Sequence, residues 1–371
     1  MKTLRIARNL AVGALLAGTL PAAPFLAISE NAEVFLTAAA GVRSDTNVYL
    51  SSKATRDTIA NFDVGAELKF GQRSAANGYF SVTDSFNNFA SHSGLNTNLA
   101  TARFATNYDD GKLRLGLASS YVEANDNQTD TVNGDFLTRR NIFSVGGTAE
   151  AGVTEKTSVG GGADFARTTY RRKGFSDSDI VTVPVNLFLV VTPKVDLSLG
   201  YRYRNSKVSL GQDSRDDFYN VGARGQFTPK IGGQFSIGLN RRTLAGGSAE
   251  NSLGISSNFN YSYSAKTGVQ LGVSSEPGTT GQGLQQKSLS FTASIQTMLS
   301  EEWSLRLGGS HRTVEYATRT DYYTEGQISA NYTFSSFLQF AAAYSHRNND
   351  TTFALGAFTG DVLSLSANFR Y

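Results

Sequence analysis

The chain has 371 residues, with 37 glycines, 6 prolines, no cysteine and a formal net charge of +3. So small and scattered a charge, without a basic block, excludes an electrostatic nucleic-acid binder, and without cysteine there is no disulfide framework. The 24 Phe and 16 Tyr beside a single Trp, in a chain of slightly negative mean hydropathy, suit strands with one greasy and one wet face.

The first segment differs from all that follows. Lys2, Arg5 and Arg8 precede an apolar run from Leu10 to Ile28 that is broken by Gly13, Gly18, Pro21 and Pro24. A basic start, an apolar middle and small residues such as Ala22, Ala23 and Ala27 predict a secretory signal peptide over residues 1–30. A membrane anchor is the alternative, disfavoured by the prolines and the missing basic stop-transfer flank. No later stretch approaches the ~20 apolar residues of a membrane helix. Residues 31–371 are then one exported unit.

Within that unit the hydrophobic period is two. Phe62, Val64, Ala66, Leu68 and Phe70 alternate with Asp63, Gly65, Glu67 and Lys69; Leu113, Leu115 and Leu117 alternate with Arg114 and Gly116. Val195, Leu197, Leu199, Tyr201 and Tyr203 face away from Asp196, Ser198, Gly200, Arg202 and Arg204, and Leu289 to Ile295 and Ile328 to Phe334 repeat the pattern. Successive strand side chains point to opposite faces, so each segment is a half-wet strand. Short links such as "DDGK", "TEKT" and "TPK" take turns with longer polar segments such as "EANDNQTDTVNGD", "RRKGFSDSD", "NSKVSLGQDSRDD", "SEPGTTGQG" and "HRNNDTTFALGAFTG". That alternation predicts an all-β fold, a transmembrane up-and-down antiparallel barrel with short periplasmic turns. About eighteen strands are expected, within roughly sixteen to twenty, the first near Glu33 and the last near Gly360.

The closing "VLSLSANFRY" puts Leu363, Leu365, Ala367, Phe369 and Tyr371 on one face and Ser364, Ser366, Asn368 and Arg370 on the other. In lipid such a strand has to pair with the first one to satisfy its backbone, and Tyr371 belongs at the interface where aromatic rings collect. The expected address is the outer membrane of a Gram-negative bacterium. Lipid and lipopolysaccharide are the expected partners there.

A more specific signal follows the first strand, in "GVRSDTNVYLSS". Its Asp45-Thr-Asn-Val-Tyr49 element resembles the beta-barrel porin family of the second type, whose members often accompany exopolysaccharide export systems. The resemblance implies polysaccharide export components as partners, and the terminal aromatic resembles the signal read by the barrel-assembly machinery. Physically, Asp45 and Asn47 are residues that shape a turn.

Enzyme machinery is not expected. His92, His311 and His346 are the only histidines, and no nucleophile elbow, zinc-binding helix or phosphate loop is present. A pairing of Ser310 or another loop serine with His311 carries little weight because serine is so abundant. The run "SVGGGADF", Ser158 to Phe165, lies inside a strand, where small residues permit close packing or curvature. No cofactor or metal is called for.

Function is expected on the inward face. Arg202, Arg204, Arg224 and Arg242 fall on the wet side of three neighbouring strands, and Arg306, Arg312 and Arg370 follow further round the ring. The inward acids Asp63, Glu67, Glu150 and Asp164 lie elsewhere, so the arginines are expected either to form a positive wall that tunes solute selectivity or simply to solvate the wet interior and pair across neighbouring strands. The expected function is a porin-like channel for small solutes or an exported polysaccharide, an acidic one included. The alternatives are a structural or adhesive barrel with a blocked lumen and, third, a barrel enzyme.

Overall fold

The computed structural model describes residues 24–29, 31–129, 131–132 and 134–371. Most of the expected leader, residues 1–23, lies outside the described residues. The strands are β1 (Leu26–Ser29), β2 (Ala32–Asp45), β3 (Asp57–Phe70), β4 (Ala76–Phe89), β5 (Thr97–Asp109), β6 (Leu113–Asn125), β7 (Arg139–Thr154), β8 (Thr157–Tyr170), β9 (Ser178–Thr192) and β10 (Val195–Val208). They continue with β11 (Ser214–Gln226), β12 (Ile231–Leu244), β13 (Ala249–Ser262), β14 (Thr267–Thr279), β15 (Gln285–Met298), β16 (Trp303–Tyr316), β17 (Thr320–Thr333), β18 (Leu338–Thr351) and β19 (Phe358–Arg370).

From β2 to β19 each strand pairs antiparallel with its chain neighbours, and β19 returns to β2 from Arg370↔Thr37 to Val362↔Asp45. Eighteen strands therefore close a barrel, as the alternation predicts. Beyond the last rung, Tyr371 and Leu36 exchange backbone hydrogen bonds of 2.9 and 2.6 Å, so the final residue completes the seam. The short β1 folds back on β2, with Leu26 opposite Val34, and Phe25 meets the Tyr371 ring edge-on at 6.3 Å. Among the described residues no helix is long and apolar enough to cross a membrane; the crossings are made by strands.

Register fixes which face is which. Leu199, Val221 and Ile237 share one rung and are 61%, 56% and 41% exposed on the outer surface, where lipid would cover them. Leu115, Phe291, Leu363 and Leu365 are likewise exposed. The glycine run in β8 is a packing feature: a Cβ on Gly162 would come within 2.6 Å of the Gly147 carbonyl oxygen on β7.

The longer connections depart from expectation. Most of "NSKVSLGQDSRDD", "SEPGTTGQG" and "HRNNDTTFALGAFTG" is strand, leaving loops at 209–213, 280–284 and 352–357. The reason is that the wall continues past the hydrocarbon layer, and there both faces of a strand are polar, so the period-two signal fades. The genuinely long connections are 46–56 and 126–138. Among the described residues there is no central core. Instead, apolar clusters sit under the loops at the long-loop end: Val48, Tyr49, Ile59 and Phe89, packed by Leu95 and Leu137, and Leu50, Tyr323 and Phe358.

Candidate functional site: the inner wall and outer mouth

The strand register places the side chains of Arg202, Arg204, Arg224, Arg242 and Arg306 on the inward face, together with those of Asp63, Glu67, Glu150 and Asp164. The positive wall does not form. Arg224 on β11 reaches Glu150 on β7 at 2.6 Å and Asp196 on β10 at 3.1 Å. Strands β8, β9 and β10 lie between β7 and β11, so the Arg224–Glu150 contact is made through the interior. Its guanidinium also lies over the Phe188 ring at 3.4 Å. Nearer the long loops, Arg202 pairs with Glu276 at 2.8 Å, while Arg204 contacts both Asp216 (2.8 Å) and Glu276 (3.3 Å). Arg242 holds Asp216 through Nε and Nη2 at 2.7 and 2.9 Å. Arg370 contacts Glu67 at 3.3 Å.

The neutralising acids that the alternation does not reveal are Asp216 and Glu276. Both occupy polar segments that read as loops, where the in–out phase was lost. Asp196 was visible on the same wet face as Arg202; a strand with both signs on its wet face signals pairing with neighbours. Arg103 and Arg306 are among the inward arginines that contact no carboxylate within the described residues. Arg103 on β5 is exposed to the interior, and Arg306 on β16 makes a 3.4 Å contact to Ser294 Oγ.

The mouth is built by loops that turn inward. Asp45 Oδ1 accepts the Asn47 backbone N–H at 2.9 Å, forming the turn expected of these residues. Asn47 is 1% exposed, and its Nδ2 donates to the carbonyls of Ser51 (2.8 Å) and Thr359 (2.9 Å). Arg347 on β18 holds Asp45 from the wall at 2.9 Å. The 126–138 loop is tied at its base by Arg140 to Asp126 at 2.7 Å. From there Asn127 Nδ2 donates to the Tyr49 carbonyl at 2.7 Å, and Thr129 Oγ1 accepts from Arg312 on β16. Gln282, at the β14–β15 tip, exchanges hydrogen bonds with the Val132 backbone at 3.1 and 3.2 Å. One loop thus touches elements on several sides of the barrel, which it can do only inside the mouth. The 46–56 loop turns inward, the 352–357 loop is short, and 126–138 is the principal inward element.

Among the described residues the three histidines are each engaged without a serine nucleophile beside them. His92 Nδ1 lies 2.7 Å from Asp57 Oδ2, and Asp57 also accepts the N–H groups of Ser91 and His92 at 3.0 Å. His346 Nδ1 lies 2.8 Å from Asp361 Oδ1, and His311 Nδ1 2.9 Å from Thr324 Oγ1. Ser310 and His311 are successive strand residues and face opposite sides of the wall. Among the described residues no cluster of His, Asp and Glu could hold a metal ion.

Residues 209–371 match the family model described as "Putative beta-barrel porin 2", which bears out the family resemblance over the last part of the barrel. The Asp45–Tyr49 element lies outside the matched stretch. No curated protein matches the sequence. Among solved structures, OccK2 (OpdF) of Pseudomonas aeruginosa superposes with a TM-score of 0.51 at 12% identity, over 92% of this chain and 98% of that one. The same protein in complex with glucuronate gives 0.51 at 11% identity, over 92% and 98%. OpdK of Pseudomonas aeruginosa with vanillate gives 0.50 at 10% identity, over 92% and 99%. At such identities the likeness is one of fold. The barrel and its family resemblance place the protein in the bacterial outer membrane as a porin-like barrel.

Proposed function

We propose that the protein is an outer-membrane channel for small hydrophilic solutes, selective at a narrowed outer mouth. The observation that carries this reading is the convergence of the 46–56 and 126–138 loops and the β14–β15 tip inside a barrel whose inward face is polar. Pores of this kind discriminate by the width of the constriction and by the charges that line it. An eighteen-strand barrel is wide enough to keep a watery lumen below such a constriction.

The choice of solute rests on the unpaired arginines. A carboxylate entering the lumen meets Arg103 and Arg306 without having to break an ion pair, whereas Arg202, Arg204, Arg224 and Arg242 are already engaged. We therefore favour small acidic solutes. The ligands solved with OccK2 and OpdK, glucuronate and vanillate, are carboxylates; that chemistry is extended to this chain on the strength of Arg103 and Arg306. Passage of an exported polysaccharide is the second reading, supported by the family resemblance and opposed by the inward loops. The test is the reversal potential of the purified protein in planar bilayers under a potassium chloride gradient. A shift towards the chloride potential that disappears in R103Q/R306Q supports the reading. A cation preference overturns the choice of solute, and absence of conductance overturns the channel.

A further inference from the structure

Strands β13 and β14 part company before either ends. Their pairing runs from Ser262↔Gly268 to Ile255↔Ser275 and stops, although β13 continues outward to Ala249 and β14 to Thr279. The remaining stretch of β13 keeps its rungs with β12, as far as Thr243↔Ala249. The remaining stretch of β14 keeps its rungs with β15, as far as Thr279↔Gln285. The wall therefore carries an unzipped seam at its outer end.

The free end of β14 goes inward. Glu276 is taken by Arg202 and Arg204, the Pro277 carbonyl accepts from Arg204, and the Gly278 carbonyl accepts from Arg242 at 2.6 Å. Beyond it, the Gly281 carbonyl accepts from Ser176 N–H in the β8–β9 loop at 2.8 Å, and Gln285 Nε2 donates to the Gln212 carbonyl at 3.0 Å. Strands β9 to β13 separate the β8 end of the 171–177 loop from β14, so the hairpin tip crosses the mouth.

A second seat is written into the same strands. Extending the register past Ile255↔Ser275 would put Leu253 opposite Pro277 and Asn251 opposite Thr279. Leu253 and Pro277 then share the outward phase, and Glu276 still faces inward. Pro277 explains why this zipped arrangement does not win outright. The Val273 N–H points at Ser257 on β13 (3.2 Å), so Pro277, an even number of residues on, turns the same edge to β13 with no N–H to donate. The zipped seat lacks a donor at that rung, and the inward seat is held by charge-assisted hydrogen bonds.

We propose that the outer half of the β14–β15 hairpin is a gate with two seats, one across the mouth on Arg202, Arg204 and Arg242, the other zipped into the wall against β13. Moving from the first to the second widens the channel, and this consequence rests on the channel reading above. Because the chain has no cysteine, N251C/T279C supplies the only thiols, and oxidation traps the zipped seat. The disulfide should form in outer-membrane vesicles, several-fold faster when E276Q removes the charge that holds the hairpin inward. Single-channel conductance should rise on oxidation and fall back on reduction. Absence of the disulfide in both backgrounds overturns the gate, as does a disulfide that leaves the conductance of a conducting protein unchanged. A disulfide accelerated by E276Q in a protein that never conducts upholds the two seats and overturns the channel.

Discussion

At the residue scale, position along a strand decides what each side chain meets. Leu115, Leu199 and Phe291 lie on the outer surface of the barrel, and replacing any of them with Arg near the bilayer midplane should cost about 2–4 kcal/mol. Denaturant unfolding in lipid measures this; no loss for all three would mean that the outward face is not the lipid face. Asn47 is a different kind of residue, since its side chain closes the 46–56 loop on itself and on Thr359. Asn47→Ala should cost about 1–3 kcal/mol, because it strands buried carbonyls, and hydrogen exchange at the Ser51 amide should quicken. Asp45 and Asn47 were legible as turn formers because short polar side chains capture nearby N–H groups. Their burial was not legible, because it depends on Arg347 and Thr359, some three hundred residues away in the chain. The arginine wall failed as an expectation for a related reason: parity along one strand says which face a charge is on, never what stands across the lumen.

At the element scale, the strands were the most readable part of the molecule. An apolar face in lipid and a polar face in water force strict alternation, and the starts expected near Glu33 and Gly360 fall within two residues of those of β2, at Ala32, and β19, at Phe358. The segments whose strand character the alternation did not show, at the ends of β10, β11, β14 and β18, lie at the long-loop end, where lipid no longer imposes the pattern. The break between β13 and β14 left no periodic trace; Pro277 was its one visible signal. The glycines of β8 make a testable element. Gly162→Val would press a side chain against the Gly147 carbonyl of β7 and should cost about 1–3 kcal/mol through overpacking, read as a lower unfolding midpoint. An unchanged midpoint would mean that β7 and β8 are free to move apart.

At the scale of the whole molecule, closure is the organising fact. The last strand pairs with β2, and Tyr371 with Leu36, because an open edge cannot be satisfied in lipid. We expect the mature protein in outer-membrane fractions to lack about the first 27–32 residues, a range set by the boundary of the leader, which would remove half or more of β1 (Leu26–Ser29); an intact Met1 by mass spectrometry would contradict this. As a channel, the protein has a closed wall around a water-filled path that the 126–138 loop narrows from within. The direct test is single-channel conductance of the purified protein in planar bilayers, compared with a variant in which residues 127–137 are replaced by a short glycine–serine link. Measurable conductance is expected, rising several-fold in the variant. Silence in both proteins would contradict it and leave a barrel whose lumen is blocked.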